Sequence, residues 1–125
     1  MIIFIKKNSL VKDIQEQFSA CFPFLKIEFL KQSLNEKIVF KKEYVIANDF
    51  FKRISSRKDE GEIHLSLKQT VAALESHFKE YFGVSIHVYR RSGNVWIETT
   101  LTNDWTLERQ NKEGEQITSH FSKRT

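Results

Sequence analysis

The chain has 125 residues, 40% of them apolar and 29% charged, with one proline and four glycines; this is the composition of a single globular domain and excludes a low-complexity linker. Roughly two-thirds of the unfolded surface can be buried at this length, so no metal or disulfide is needed, and the sole cysteine, Cys21, excludes an internal disulfide and a cysteine-based zinc site and fits a reducing, cytoplasmic setting. The net charge of +4 arises in residues 1 to 60, with 12 Lys/Arg against 8 Asp/Glu, whereas residues 61 to 125 hold 8 of each; so modest a surplus does not by itself indicate a nucleic-acid binder.

The chain opens on Ile2-Ile3-Phe4-Ile5, apolar without alternation, which predicts a strand buried on both faces. With no basic leader and so short an apolar run, it reads as a strand and neither a secretory signal nor a membrane helix. Val11, Ile14, Phe18 and Phe22 then fall at helical spacing ahead of Pro23, which stops the helix. Lys26-Ile27-Glu28-Phe29 alternates as a strand, completing a first strand-helix-strand unit within residues 1–33.

Residues 34–61 form a connecting segment, and its groups Ile38-Val39-Phe40, Tyr44-Val45-Ile46 and Phe50-Phe51-Ile54 are expected to cover the outer face of the first strand. Residues 62–101 repeat the opening pattern. A strand at Ile63 to Leu67 precedes a stripe of Val71, Leu74, Phe78 and Phe82, each 60 residues after its counterpart, and Gly83 stops this helix where Pro23 stopped the first. The strand Ser85-Ile86-His87-Val88 follows at an offset of 59. Matched spacing over about 30 residues reads as internal duplication, and a strand-helix-strand unit with parallel strands crosses over right-handedly. The fold class is therefore α+β: a single two-layer domain with a mixed sheet built from two duplicated β-α-β units.

Ser92-Gly93-Asn94 signals a hairpin leading into Val95 to Leu101. Period-two alternation places Ile86 and Val88 with Ile97 and Thr99 on one face, and His87, Tyr89, Arg91, Trp96, Glu98 and Thr100 on the other. Residues 102–121 form a C-terminal helix and tail: a short helix from Trp105 to about Asn111, capped by Asn103 or Asp104 and ended at Gly114, with Ser122 to Thr125 frayed.

The markers Ser92-Gly93-Asn94 with Trp96, Glu98 to Thr100 and Asp104 to Glu108, together with Phe22 to Ser33 upstream, make the chain resemble a group of small bacterial proteins without an assigned activity. That resemblance implies a fold unit and transfers no catalytic residue.

No combination of residues reaches the level of a catalytic, metal or cofactor site. Cys21, beside Phe18 and Phe22, reads as packing, and a catalytic thiol would need a histidine that nothing places near it. His64 and His87 would meet Glu98 only if their strands were neighbours, and His77 and His120 complete the histidines without any ligand spacing. The carboxylates Asp59, Glu60 and Glu62, and Glu113 with Glu115, lie by glycines in expected hydrated turns. Lys6-Lys7-Asn8-Ser9 and Lys68-Gln69-Thr70 precede helices but lack the glycines of a phosphate loop. What remains is the aromatic and polar face of Tyr89, Arg91, Trp96 and Glu98, with Trp105 as a further candidate. Tyr, Trp and Arg are common interface anchors, so the expected function is a non-enzymatic protein-binding module or adaptor, unless residues 34 to 58 or the last helix close the face. Single-stranded nucleic acid, stacked on Tyr89 and Trp96 beside Arg90 and Arg91, is the alternative, opposed by five acids against two bases in residues 98 to 115.

Overall fold

The computed structural model describes residues 1–31 and 44–122, so Ile38-Val39-Phe40 and the last three residues lie outside the described chain. The elements run β1 (Ile2–Ile5), α1 (Val11–Cys21), β2 (Leu25–Phe29), a 3₁₀ turn at Phe51–Arg53, β3 (Gly61–His64), α2 (Val71–His77) continued by a π turn at Phe78–Phe82, β4 (Ile86–Ser92), β5 (Val95–Glu98), a 3₁₀ turn at Thr100–Thr102 and α3 (Leu107–Ser122). The class is α+β, with a strand hairpin followed by a C-terminal helix. No described helix is long and apolar enough to cross a membrane.

The helical stripes bury as their spacing predicts: Val11, Ile14, Phe18 and Phe22 in the first unit and Val71, Leu74, Phe78 and Phe82 in the second are all inaccessible or nearly so. Thr70 caps α2 by accepting the Ala73 N–H at 3.1 Å, while at α1 the Asp13 carboxylate reaches back to the Leu10 N–H at 2.8 Å; both satisfy amides that a helix start leaves without partners. Gly83 closes the second helix in the left-handed region at φ 68°, where a side chain would be strained.

The sheets depart from the mixed, parallel arrangement. β1 pairs with β3 and β2 with β4, both antiparallel, and β5 joins β4 antiparallel, giving a two-stranded sheet β1-β3 and a three-stranded sheet β2-β4-β5. The two strands of one unit thus enter different sheets, and among the described residues every strand pair is antiparallel. Each strand instead pairs with its counterpart in the other unit. Each register brings one matching pair face to face, Ile3 opposite Ile63 and Glu28 opposite His87, with the same offsets of 60 and 59 as the sequence repeat. Antiparallel pairing of like with like is the local geometry of a two-fold axis.

The likeness extends past the expected 30 residues. Val11 and Lys12 donate their N–H groups to Asp49 O and Ala47 O, and their counterparts Val71 and Ala72 donate to Trp105 O and Asn103 O. Phe51 N–H meets Ser9 O as Leu107 N–H meets Gln69 O, and both Phe51 and Leu107 are fully buried. One core results, because Phe29 from the first unit packs edge-on against Phe78 of the second at 5.7 Å and Phe51 against Phe82 at 5.4 Å.

Four further expectations are corrected. β1 alternates, with Ile3 and Ile5 inside and Ile2 and Phe4 exposed, so it is not buried on both faces; of residues 44–58, Val45 and Phe51 enter the core instead of covering it. The C-terminal helix does not end at Gly114. It continues to Ser122, and Gly114 lies within it where an added Cβ would meet Phe24 Cβ at 3.0 Å, Arg90 Cγ at 3.1 Å and Arg91 O at 3.2 Å. Gly114 serves close helix-to-strand approach rather than termination. Thr106, not Asn103 or Asp104, supplies the side-chain cap, to Arg109 N–H at 3.1 Å.

Candidate functional site

β4 reads Ile86-His87-Val88-Tyr89-Arg90-Arg91, and period-two alternation turns Ile86 and Val88 into the core and His87, Tyr89 and Arg91 outward. The registers then assemble a face across three strands. Lys26 and Glu98 flank Tyr89, Glu28 lies opposite His87, and Trp96 lies opposite Arg91. The outward set read from the sequence is therefore reproduced for His87, Tyr89, Arg91, Trp96 and Glu98, and the face is open at Trp96, which is 40% exposed.

Its groups are mutually engaged. Lys26 Nζ lies 3.3 Å from Glu28 Oε1 and stands 5.4 Å from the Tyr89 ring centre and 5.0 Å from that of Trp96. His87 Nδ1 lies 3.1 Å from Glu98 Oε1, which also accepts the Thr100 hydroxyl at 2.7 Å. The Tyr89 and Tyr44 hydroxyls share a short hydrogen bond. Burial, the Tyr44 bond and the Glu98 and Glu28 carboxylates push the Tyr89 phenol well above its ordinary pKa, so it stays neutral. Arg91 Nε donates to Gly93 O at 3.0 Å, tying the guanidinium to the hairpin. Among the described residues the cations Lys26 and Arg91 face the carboxylates Glu28 and Glu98, two against two, with Glu75 of α2 as a further carboxylate at the edge beside Glu98.

The two helices touch this face differently. Gln15 of α1 donates Nε2 to Ile27 O at 2.9 Å and to Glu28 Oε2 at 3.2 Å. Its counterpart 60 residues on is Glu75, whose carboxyl is raised above the glutamate range by burial first and by the Glu98 charge second. Lys26, Glu28, Tyr44 and Glu75 were not singled out from the sequence. Alternation in β2 marks Lys26 and Glu28 as outward, but only the pairing with β4 says which outward face they join, and no local pattern brings Tyr44 or Glu75 there.

Trp105 does not belong to this face. It packs with Arg90 and Arg109, whose guanidinium carbons lie 5.5 and 3.8 Å from its ring centre, and Arg90 alternates to the opposite side of β4, where it donates to the buried Gln110 of α3 at 2.9 Å. His64 lies in the other sheet, 3.4 Å from Glu62, so it cannot join His87 and Glu98. His77 stacks on Tyr81 and His120 lies against Phe121. Glu113 and Glu115 are on α3 rather than in a turn. Lys68 pairs with Glu108 at 3.1 Å and lowers its pKa, and Ser9 accepts the Lys6 N–H. Cys21 is half-buried against the core. Among the described residues no group of three His, Cys, Asp or Glu could hold a metal.

Compared with protein-family models, curated proteins and solved structures, the chain matches none of them.

Proposed function

We propose that the chain is a non-enzymatic protein-binding module that docks a partner on the open face of β2-β4-β5, with Trp96, Tyr89 and Arg91 as anchors and Glu98 and Lys26 setting polarity. The observation that carries this reading is the exposed Trp96 ring, held in place by the Lys26 ammonium on a face whose other polar groups are already paired. A pre-ordered tryptophan surrounded by satisfied polar groups loses little side-chain entropy on binding, which is what an interface hot spot requires. Charge balance favours protein over nucleic acid, since a face whose carboxylates at least match its cations, with Lys26 already paired to Glu28, gains little from counterion release. The repeated strand pairing supports descent of the two units from one by duplication, and the single thiol suits a cytoplasmic setting.

The test is partner recovery from the native cell with the wild-type chain and with Trp96→Ala. Loss of a defined partner with a melting temperature lowered by only a few degrees is the expected result; retention of every partner, or collapse of the fold, overturns the reading. Titration with single-stranded oligonucleotides at low salt is expected to be flat, and a salt-sensitive affinity would transfer the face to nucleic acid.

A further inference from the structure

β5 is the last strand of its sheet, and the bonds it makes to β4 determine which of its backbone groups face outward. Thr99 N–H donates to Val88 O, so residues 99, 97 and 95 form the hydrogen-bonded pairs of the ladder. Trp96 and Glu98 therefore direct their N–H and C=O groups away from β4, and among the described residues no strand or bridge pairs with that edge. Val95 and Ile97 stand on one face of that edge, 58% and 41% exposed, Leu101 just beyond the strand is 98% exposed, and the other face carries Trp96, 40% exposed, beside Glu98. A regular, apolar edge of this kind is a template for another strand.

We infer that β5 pairs antiparallel with β5 of a second copy, about a two-fold axis at Ile97, joining the two three-stranded sheets into one. This goes beyond the proposed docking face and does not depend on it. The strand complements itself in this register. Ile97 meets Ile97 of the other copy and Trp96 meets Glu98 twice over, with the outward N–H and C=O groups of 96 and 98 facing each other, while Thr99, buried and bonded to Val88 O, lies past the end of the strand. Charge complementarity selects the register: each Trp96 carries the Lys26 ammonium at 5.0 Å and has Arg91 beside it, so the Glu98 carboxylate of the other copy arrives at a basic position. Centring on Glu98 would oppose two carboxylates, and centring on Trp96 would place Glu98 opposite the turn at Asn94. The chain already builds both its sheets by antiparallel pairing of like strands that brings matched residues face to face, Ile3 with Ile63 and Glu28 with His87.

Sedimentation equilibrium of the full chain at micromolar concentration tests the pairing, with Ile97→Lys as the disrupting variant. Wild type is expected at twice the chain mass, and Ile97→Lys at the chain mass with an unchanged circular dichroism spectrum. A register test stands even where that variant folds poorly. In a Cys21→Ser background, Ile97→Cys is expected to form an interchain disulfide on mild oxidation, because residues opposite each other in a non-hydrogen-bonded pair have Cα atoms about 4.5 Å apart. Val95→Cys is expected to stay reduced, its copies lying about 14 Å apart along the strands. A monomeric wild type, a dimer unaffected by Ile97→Lys, or cross-linking at Val95→Cys as readily as at Ile97→Cys overturns the inference. The docking reading is judged separately, since Ile97→Lys leaves Trp96 in place and is expected to retain the Trp96-dependent partner.

Discussion

The two units of this chain share a framework and differ in what they attach to it. In the first, Phe18 and Phe22 pack at 5.6 Å with an interplanar angle of 43°; in the second, Phe78 and Phe82 pack at 5.9 Å and 40°. Strand pairing repeats in the same way, as do the bonds from each helix start to the return segment that passes it, residues 47–51 in the first unit and 103–107 in the second. Yet where the first unit has Gln15 and Glu28, the second has Glu75 and His87, and where the first return segment ends in a single 3₁₀ turn, the second runs into the sixteen-residue α3. The core tolerates little change because close-packed rings leave no slack, whereas half-exposed positions can diverge at small cost. Differences at those positions give an asymmetric face on a nearly symmetric frame.

The most severe test of the shared frame is truncation of its rings. Phe18→Ala and Phe78→Ala are each expected to lower unfolding free energy by about 3–5 kcal/mol in urea titrations; an inequality of several kcal/mol between them would show that the units do not carry equal loads. Gly114→Ala probes what only the second unit has. Its new methyl presses on Arg91 O and the Phe24 Cβ, and the overpacking cost of about 1–3 kcal/mol outweighs the gain in helix propensity of roughly 1 kcal/mol. A stabilised variant would mean that α3 is not seated on β4 as described.

The differing helix starts give a smaller contrast. Thr70→Ala removes the α2 cap and is expected to cost about 1 kcal/mol by thermal unfolding, while Leu10→Ala, at a position whose side chain caps nothing, changes only packing. The smallest effect belongs to the Gln15 and Glu75 pair. Because the folded-state pKa of Glu75 is raised, the native state is relatively favoured at low pH, and that advantage is lost as pH rises through the raised value. Glu75→Gln is thus expected to stabilise the chain near neutrality by about 0.5 kcal/mol, a size set by solvent screening, and to match wild type in acid. A gain that persists below the ordinary glutamate range would assign the effect to shape and not to charge.

The two helical stripes, the stops at Pro23 and Gly83, the hairpin at Gly93-Asn94 and the outward set of His87, Tyr89, Arg91, Trp96 and Glu98 are legible in the order of residues alone. Each of these follows from side-chain periodicity or backbone chemistry within a few residues, which folding to any tertiary arrangement must respect. Tertiary structure alone decided that like strands pair antiparallel in two sheets, that Phe4 is exposed, that Trp105 lies across β4 from Trp96 with Arg90, and that Gly114 is spanned by a helix. These depend on which surfaces meet, and a glycine or an apolar run has the same local appearance whether it ends a helix, lines a contact or faces water. Lys26, Glu28, Tyr44 and Glu75 joined the candidate face for the same reason, because registers between distant strands carry no local signature.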